Sequence, residues 1–350
     1  MKKIIIVFLL GCLFISVKSQ QITVALHHNG SDKMFYGNSG FSDANTAAVD
    51  GDTIYLPGTA HYSGINISHK LVIIGAGINP DSTTAIGRSL IESDIYFMAG
   101  SDGSKLEGIY TGNNIHFYSN TRINNVTISR CYLSSIYFDG SFDTSHTCIN
   151  TVIEQNVING TIGCDNSDYL IIRNNFIQSR IYDITQNALI ENNIFYYLVW
   201  GDYYGGHQFT LYSVYNSLIR NNIFIPPTAY GNCYIAGSNN DAMNNIFPVA
   251  GEACWSSNYT NNYEGIGTDT IFVGQTVTYS SFDFTQNYHL KHPSAYPGYS
   301  SAGVGIYGGT TPLKEGQLPF NPHISQKAIA PNTDNSGKLN ISVKVKAQNN

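Results

Sequence analysis

Between residues 120 and 250 the apolar positions come in short bursts, each split by a polar pair. The clearest copies are Ile153-Glu154-Gln155-Asn156-Val157-Ile158, Ile172-Arg173-Asn174-Asn175-Phe176-Ile177, Ile190-Glu191-Asn192-Asn193-Ile194-Phe195 and Ile219-Arg220-Asn221-Asn222-Ile223-Phe224. Degenerate copies stand at Ile128-Ser129-Arg130-Cys131-Tyr132-Leu133 and Ala242-Met243-Asn244-Asn245-Ile246-Phe247. Each burst is too short for a helix and suits a pair of short strands. The leading residues of successive copies lie 25, 19, 18, 29 and 23 positions apart. A fixed unit at variable spacing predicts a solenoid whose coils differ in turn length. One copy cannot bury its own apolar residues. Stacked about 4.8 Å apart, equivalent strands share one interior.

Asn suits the bend between the two strands, because it tolerates left-handed backbone and bonds locally. The second polar residue of each pair, Asn156, Asn175, Asn193, Asn222 and Asn245, is assigned to a structural ladder of stacked amides. The pattern leaves open which member of each pair faces inward. Cys131 takes that place in the first copy and weakens the ladder there. The position after the leading Ile reads Glu154, Arg173, Glu191, Arg220. In register these signs alternate, which fixes register more than it adds stability.

These phrases resemble the right-handed parallel β-helix proteins of the pectin-lyase-like superfamily. Asp50-Gly51-Asp52-Thr53-Ile54-Tyr55-Leu56-Pro57-Gly58 and Leu71-Val72-Ile73-Ile74-Gly75-Ala76-Gly77 resemble opening coils. Asn287-Tyr288-His289-Leu290-Lys291 through Gly303-Val304-Gly305-Ile306-Tyr307-Gly308-Gly309 resembles a closing segment. The resemblance covers roughly residues 22–309. It implies an all-β, single-stranded right-handed parallel β-helix. It does not imply one activity, because this fold hosts lyases, hydrolases, adhesins and structural proteins.

The ends read differently. Lys2 and Lys3, the apolar run Ile4–Val17 and the small residues of Val17-Lys18-Ser19 resemble a secretory signal peptide over residues 1–19. Leu9-Leu10-Gly11-Cys12 loosely resembles a lipoprotein box, but the apolar run continues past Cys12, which favours cleavage after Ser19. The β-helix domain is expected over 20–309. Residues 310–350 are expected to be a linker or strap with Pro312, Pro319 and Pro322, then a hairpin-like tail of Ile324–Ala330 and Leu339–Ala347. No second apolar run is long enough to span a bilayer. The expected location is secreted or cell-surface.

Composition agrees with this picture. The chain has 37 Asn and 25 Tyr among 350 residues, and Asn at that level disfavours long helices. Charged residues make up 12 % and the net charge is −6, which argues against a nucleic-acid partner. Five cysteines follow the signal: Cys131, Cys148, Cys164, Cys233 and Cys254. None forms a C-x-x-C pair, so no metal site is indicated. Cys233 and Cys254, about one coil apart, would bridge if stacked; burial of all five as small apolar residues is the competing reading.

Two long connections, Tyr196–Ser217 and Pro226–Asp241, are where a solenoid places its binding loops. In the first, Trp200, Tyr203 and Tyr204 are candidate sugar platforms, and Asp202 with His207 is a candidate acid/base pair. Asp139, Asp143, Asp165 and Asp168 form a candidate acidic patch, which polar turn residues also explain. Enzymes of the resembled fold use clustered calcium ligands with Arg or Lys, or Asp-Asp, Gly-His-Gly and Arg-x-Lys motifs. The chain has none of those three motifs. No cofactor is indicated; calcium stays open without being indicated. The expected function is non-catalytic binding of polysaccharide or a surface glycan. The alternatives are a polysaccharide lyase or glycoside hydrolase, and a structural spacer. Oligomeric state is not legible.

Overall fold

The computed structural model describes residues 22–58, 60–118, 121–139, 147–196, 209–225, 234–248, 258–273 and 282–347. The chain winds as a parallel β-helix with three sheets of 12, 10 and 8 strands. One coil contributes one short strand to each sheet. The first coil supplies Thr53–Tyr55, Ala60–Tyr62 and Asn66–Ile67, and a typical central one supplies Ile171–Arg173, Phe176–Ile177 and Ile181–Ile184. Each Ile-x-x-Asn phrase is thus a first-sheet strand, a bend and a second-sheet strand.

Stacking in register makes the core. In the first sheet Ile128 pairs with Ile153, Ile153 with Ile172, Ile172 with Ile190 and Ile190 with Ile219. Phe97, Phe117 and Phe138 stack inside the third sheet, and Phe195, Phe224 and Phe247 inside the second. All are buried. An antiparallel hairpin, Thr23–His28 with Ser31–Tyr36, extends the first sheet at one end. A short helix, Gly40–Ala47, lays Phe41 and Ala44 against that end of the core. No helix among the described residues is long and apolar enough to cross a membrane.

The two polar residues of each pair do different work. The second, at Asn156, Asn175, Asn193, Asn222 and Asn245, is buried and bonds from coil to coil. Asn175 Nδ2 donates to Ile153 O at 2.8 Å and to Asn193 Oδ1 at 3.0 Å. The same geometry recurs at Asn156, Asn193, Asn222 and Asn245. The ladder gains one further rung, Asn262, which accepts from Asn245. At the other end Cys131 stands in, its thiol 3.8 Å from Leu106 O.

The first residue of each pair turns the corner with positive φ: Arg130 52°, Gln155 57°, Asn174 54°, Asn192 57° and Asn221 56°. Its side chain points outward and holds the returning C-terminal segment. Gln155 Nε2 donates to Thr311 O and Pro312 O, Asn174 Nδ2 to Ile306 O and Gly308 O, and Asn192 Nδ2 to Gly303 O and Gly305 O. Asn221 Oδ1 accepts from Tyr299 N. Arg130 ends the row: it donates to Glu107 Oε1, Gln155 Oε1 and Leu318 O, and lies 3.5 Å from the centre of the Phe320 ring. The segment 299–320 therefore runs back along the corner row as a strap.

The strap and the residues just before it cover the outside of the second sheet. There Phe176, Ile194, Ile223 and Ile246 point outward and pack on Phe272, Tyr288, Val304, Ile306 and Leu313. Beyond the strap, His323–Ile329 and Ile341–Lys346 form the antiparallel tail hairpin, whose Ile341, Val343 and Val345 are exposed. Asp334 Oδ1 closes its turn by accepting from Ser336 N and Lys338 N.

Candidate functional site

The three outer faces are unequal. The second is covered by the C-terminal return. The first carries the charge ladder: Arg173 pairs with Glu154 at 2.7 Å and Arg220 with Glu191 at 2.8 Å. Arg173 and Glu191 are register neighbours on one face, yet the ion pairs form within two-coil units. Satisfied pairs of this kind fix register.

The third sheet presents chemistry instead. Alternation turns one residue per coil outward, and register aligns Tyr96, His116, Tyr137, Gly163, Tyr182 and Tyr212 in one row. All of these except Gly163 are partly exposed. Tyr96 and His116 stack at 4.8 Å with their planes 14° apart, and His116 meets Tyr137 at 5.4 Å. Rings stacked on one another show their edges outward. The row therefore offers phenol and imidazole edges rather than flat faces. Gly163 makes room for the next ring: a Cβ there would lie 2.6 Å from Tyr182 Oη.

Carboxylates flank the row. His116 Nδ1 lies 2.8 Å from Asp139 Oδ2, and Nε2 lies 3.4 Å from Asp94 Oδ2. Two coils further, Asp165 and Asp183 share a hydrogen bond. Burial, that bond, and the charges of Asp183 and Asp139 push the Asp165 carboxyl up to about 6. Burial, with Tyr137 and Asp165 nearby, pushes the Tyr182 phenol up to about 12, so it stays a hydrogen-bond donor at neutral pH. Arg180, 5.4 Å from the Tyr182 ring, is the cation at this cluster. Two directly bonded carboxyls are closer than the roughly 5–9.5 Å that glycosidases use. Among the described residues no group of three or more His, Cys, Asp or Glu is placed to hold a metal ion.

The candidates from sequence distribute unevenly. Trp200, Asp202, Tyr203, Tyr204 and His207 lie outside the described residues, as do Asp143, Cys233 and Cys254. The two long connections are not loops throughout: Tyr196–Ser217 contains the third-sheet strand Leu211–Tyr215, and Pro226–Asp241 contains the third-sheet strand Ile235–Ser238. Asp139 and Asp165 come together. Asp168 does not join them: it sits in a separate two-stranded sheet and accepts from Gln186 and Asn187. Cys131, Cys148 and Cys164 are buried free thiols, pushed up by burial to about 12, to about 11 and well above the usual range. The aromatic row was missed because its members sit at different offsets from the Asn phrases. The x in Ile-x-Phe at Ile95-Tyr96-Phe97, Ile115-His116-Phe117 and Ile136-Tyr137-Phe138 was the available signal.

Compared with known proteins, the chain matches no family model, no curated protein and no solved structure.

Proposed function

We propose that this is an exported, right-handed β-helix protein of pectin-lyase-like type that binds a polysaccharide without cleaving it. The carrying observation is the register of Tyr96, His116, Tyr137, Tyr182 and Tyr212 on an outer face that, among the described residues, the C-terminal return does not cover. A row of hydroxyl and imidazole edges repeating at the coil spacing suits a hydroxyl-rich polymer lying along the axis. Asp94, Asp139, Asp165 and Asp183 against Arg180 make the face acidic, so the ligand of this reading is a neutral glycan rather than a uronate polymer.

The second reading is a lyase or hydrolase, and the Asp165 carboxyl, pushed up to about 6 by burial and the neighbouring Asp183, favours it, since a carboxyl with raised proton affinity is a common acid/base device. A glycan array, run beside ultraviolet detection of unsaturated products from uronate polymers, separates the two. Binding of neutral glycans without product, weakened by Tyr137→Ala and Tyr182→Ala, supports the first. Product formation that Asp165→Asn abolishes replaces it with the second.

A further inference from the structure

The tail hairpin is exposed along most of its length. Residues 323–325 are half-buried, and every later residue of its two strands is exposed. Register divides it into two faces. Ile324 pairs with Val345, Lys327 with Val343 and Ile329 with Ile341, so these six share one face. Gln326 with Lys344, and Ala328 with Ser342, belong to the other. On the first face Ile329, Ile341, Val343 and Val345 are 50 %, 60 %, 50 % and 59 % exposed. A two-stranded ribbon is marginal in water by itself. Branched side chains gain by packing on a neighbour across a strand pair.

Charge says what kind of neighbour fits. Residues 323–347 hold four lysines, Lys327, Lys338, Lys344 and Lys346, against one acid, Asp334. That is a net +3 on a chain of net −6, which leaves −9 for the rest. Asp334 is occupied inside the turn, where its Oδ1 accepts from Ser336 N, Ser336 Oγ and Lys338 N. Among the described residues none of the four lysines pairs with a carboxylate. Along Ile341–Lys346 the lysines alternate with the valines, so Lys344 and Lys346 stand on the face opposite Val343 and Val345. The outer edge of that strand pairs with no other described strand. Lysine at such an edge opposes pairing with a like-charged copy and suits a strand that brings Asp or Glu. A bilayer surface fits less well. The open backbone edge would lose water without gaining a partner, and residues 323–347 contain no Trp, Tyr or Phe to sit at headgroup level.

We infer that the Ile341–Lys346 edge is a docking site for an extended acidic segment of another protein, which adds as a third strand. Its apolar residues continue the face of Ile341, Val343 and Val345. Its Asp or Glu residues, at the positions between, stand opposite Lys344 and Lys346. This site is independent of the glycan reading.

Fluorescence anisotropy on the full chain tests it with a labelled Thr-Val-Glu-Val-Glu-Val-Thr peptide and its Thr-Val-Lys-Val-Lys-Val-Thr counterpart. The acidic peptide should bind saturably, and less tightly in about 0.5 M salt; the basic one should not bind. Lys344→Glu with Lys346→Glu should weaken the acidic peptide by roughly tenfold or more and admit the basic one. Both side chains are exposed, so the melting temperature should not move. N-methylation of one alternate set of peptide amides should abolish binding, and of the other set should not, because only one set faces the edge. No saturable binding of the acidic peptide overturns the proposal. So does binding that the double charge reversal leaves unchanged, or that both methylation patterns affect equally. Dimerisation in sedimentation that Val343→Lys removes would give the edge to a second copy. Binding to phosphatidylcholine–phosphatidylserine vesicles, lost in the double variant while the peptide never binds, would give it to a membrane. Either result equally overturns the proposal.

Discussion

Asn175 and Asn193 sit in consecutive coils, and the Oδ1 of Asn193 accepts both the backbone N–H and the side-chain amide of Asn175, at 3.0 Å each. One side chain thus replaces two waters for its neighbour while its own Nδ2 donates to Ile172 O at 2.8 Å. Asn193→Leu leaves the buried Asn175 N–H without its acceptor and removes one partner each from Asn175 Nδ2, which keeps Ile153 O, and from Ile172 O. A loss of about 3–5 kcal/mol is expected in denaturant unfolding. Asn262→Ala, at the half-buried end of the ladder, should cost about 1 kcal/mol, because water reaches the groups it frees.

Cys131→Asn should extend the ladder. The sulfur already lies near Leu106 O, and Cys131 N donates to Asn156 Oδ1 at 2.8 Å. An amide there can donate to both oxygens. A gain of about 1 kcal/mol is expected in the same unfolding assay; a loss would show that the extra volume outweighs the new bonds.

Asn174→Gly separates the strap's grip from the strain of the corner. Glycine accepts the φ of 54° but loses the donations to Ile306 O and Gly308 O. A modest destabilisation of about 1 kcal/mol is expected. Limited proteolysis should cut within 299–320 faster than in the parent, with the coils retained.

The Asp165 carboxyl titrates near 6 in the fold and near the ordinary ~3.9 when unfolded. Its folded affinity for a proton is raised, so its contribution is fully present below about pH 4 and is lost as pH rises through about 6. Asp165→Asn should melt close to the parent at pH 4 and higher than the parent at pH 7.5. Equal differences at both values would exclude this origin.

A double-mutant cycle on Glu154 and Arg173 should return less than about 1 kcal/mol of coupling. The two side chains are 20 % and 23 % exposed, so water competes for the pair. The same holds for Glu191 and Arg220.

Much of the solenoid was legible because its signal is local and repeated. Ile153, Ile172, Ile190 and Ile219 announce an inward ladder, and the Asn pairs announce the bend. The rung at Asn261-Asn262 escaped notice because Tyr259 replaces the leading Ile. The outward row of the third sheet was harder to read. Turns of unequal length separate its members from the Asn phrases, so sequence offset does not convert to position around the coil. Asp139 and Asp165 could be named as acidic, but their company with Asp183 depends on coil register.

The strap could not be read at all as a set of partners. Residues 299–320 are far in sequence from Gln155, Asn174 and Asn192, and no short-range pattern joins them. Likewise the outward Phe176, Ile194 and Ile223 look like any second-sheet strand residue until Phe272 and Tyr288 cover them.

The amino-acid sequence alone set the coil, its interior and its corners, because those follow from alternation and from the left-handed tolerance of Asn, both properties of a few adjacent residues. Only the tertiary structure decided which Asn faces in, which side chains the third sheet turns outward and where the chain's end returns. Those outcomes depend on groups brought together over more than a hundred residues, where the energy lies in who is neighbour to whom.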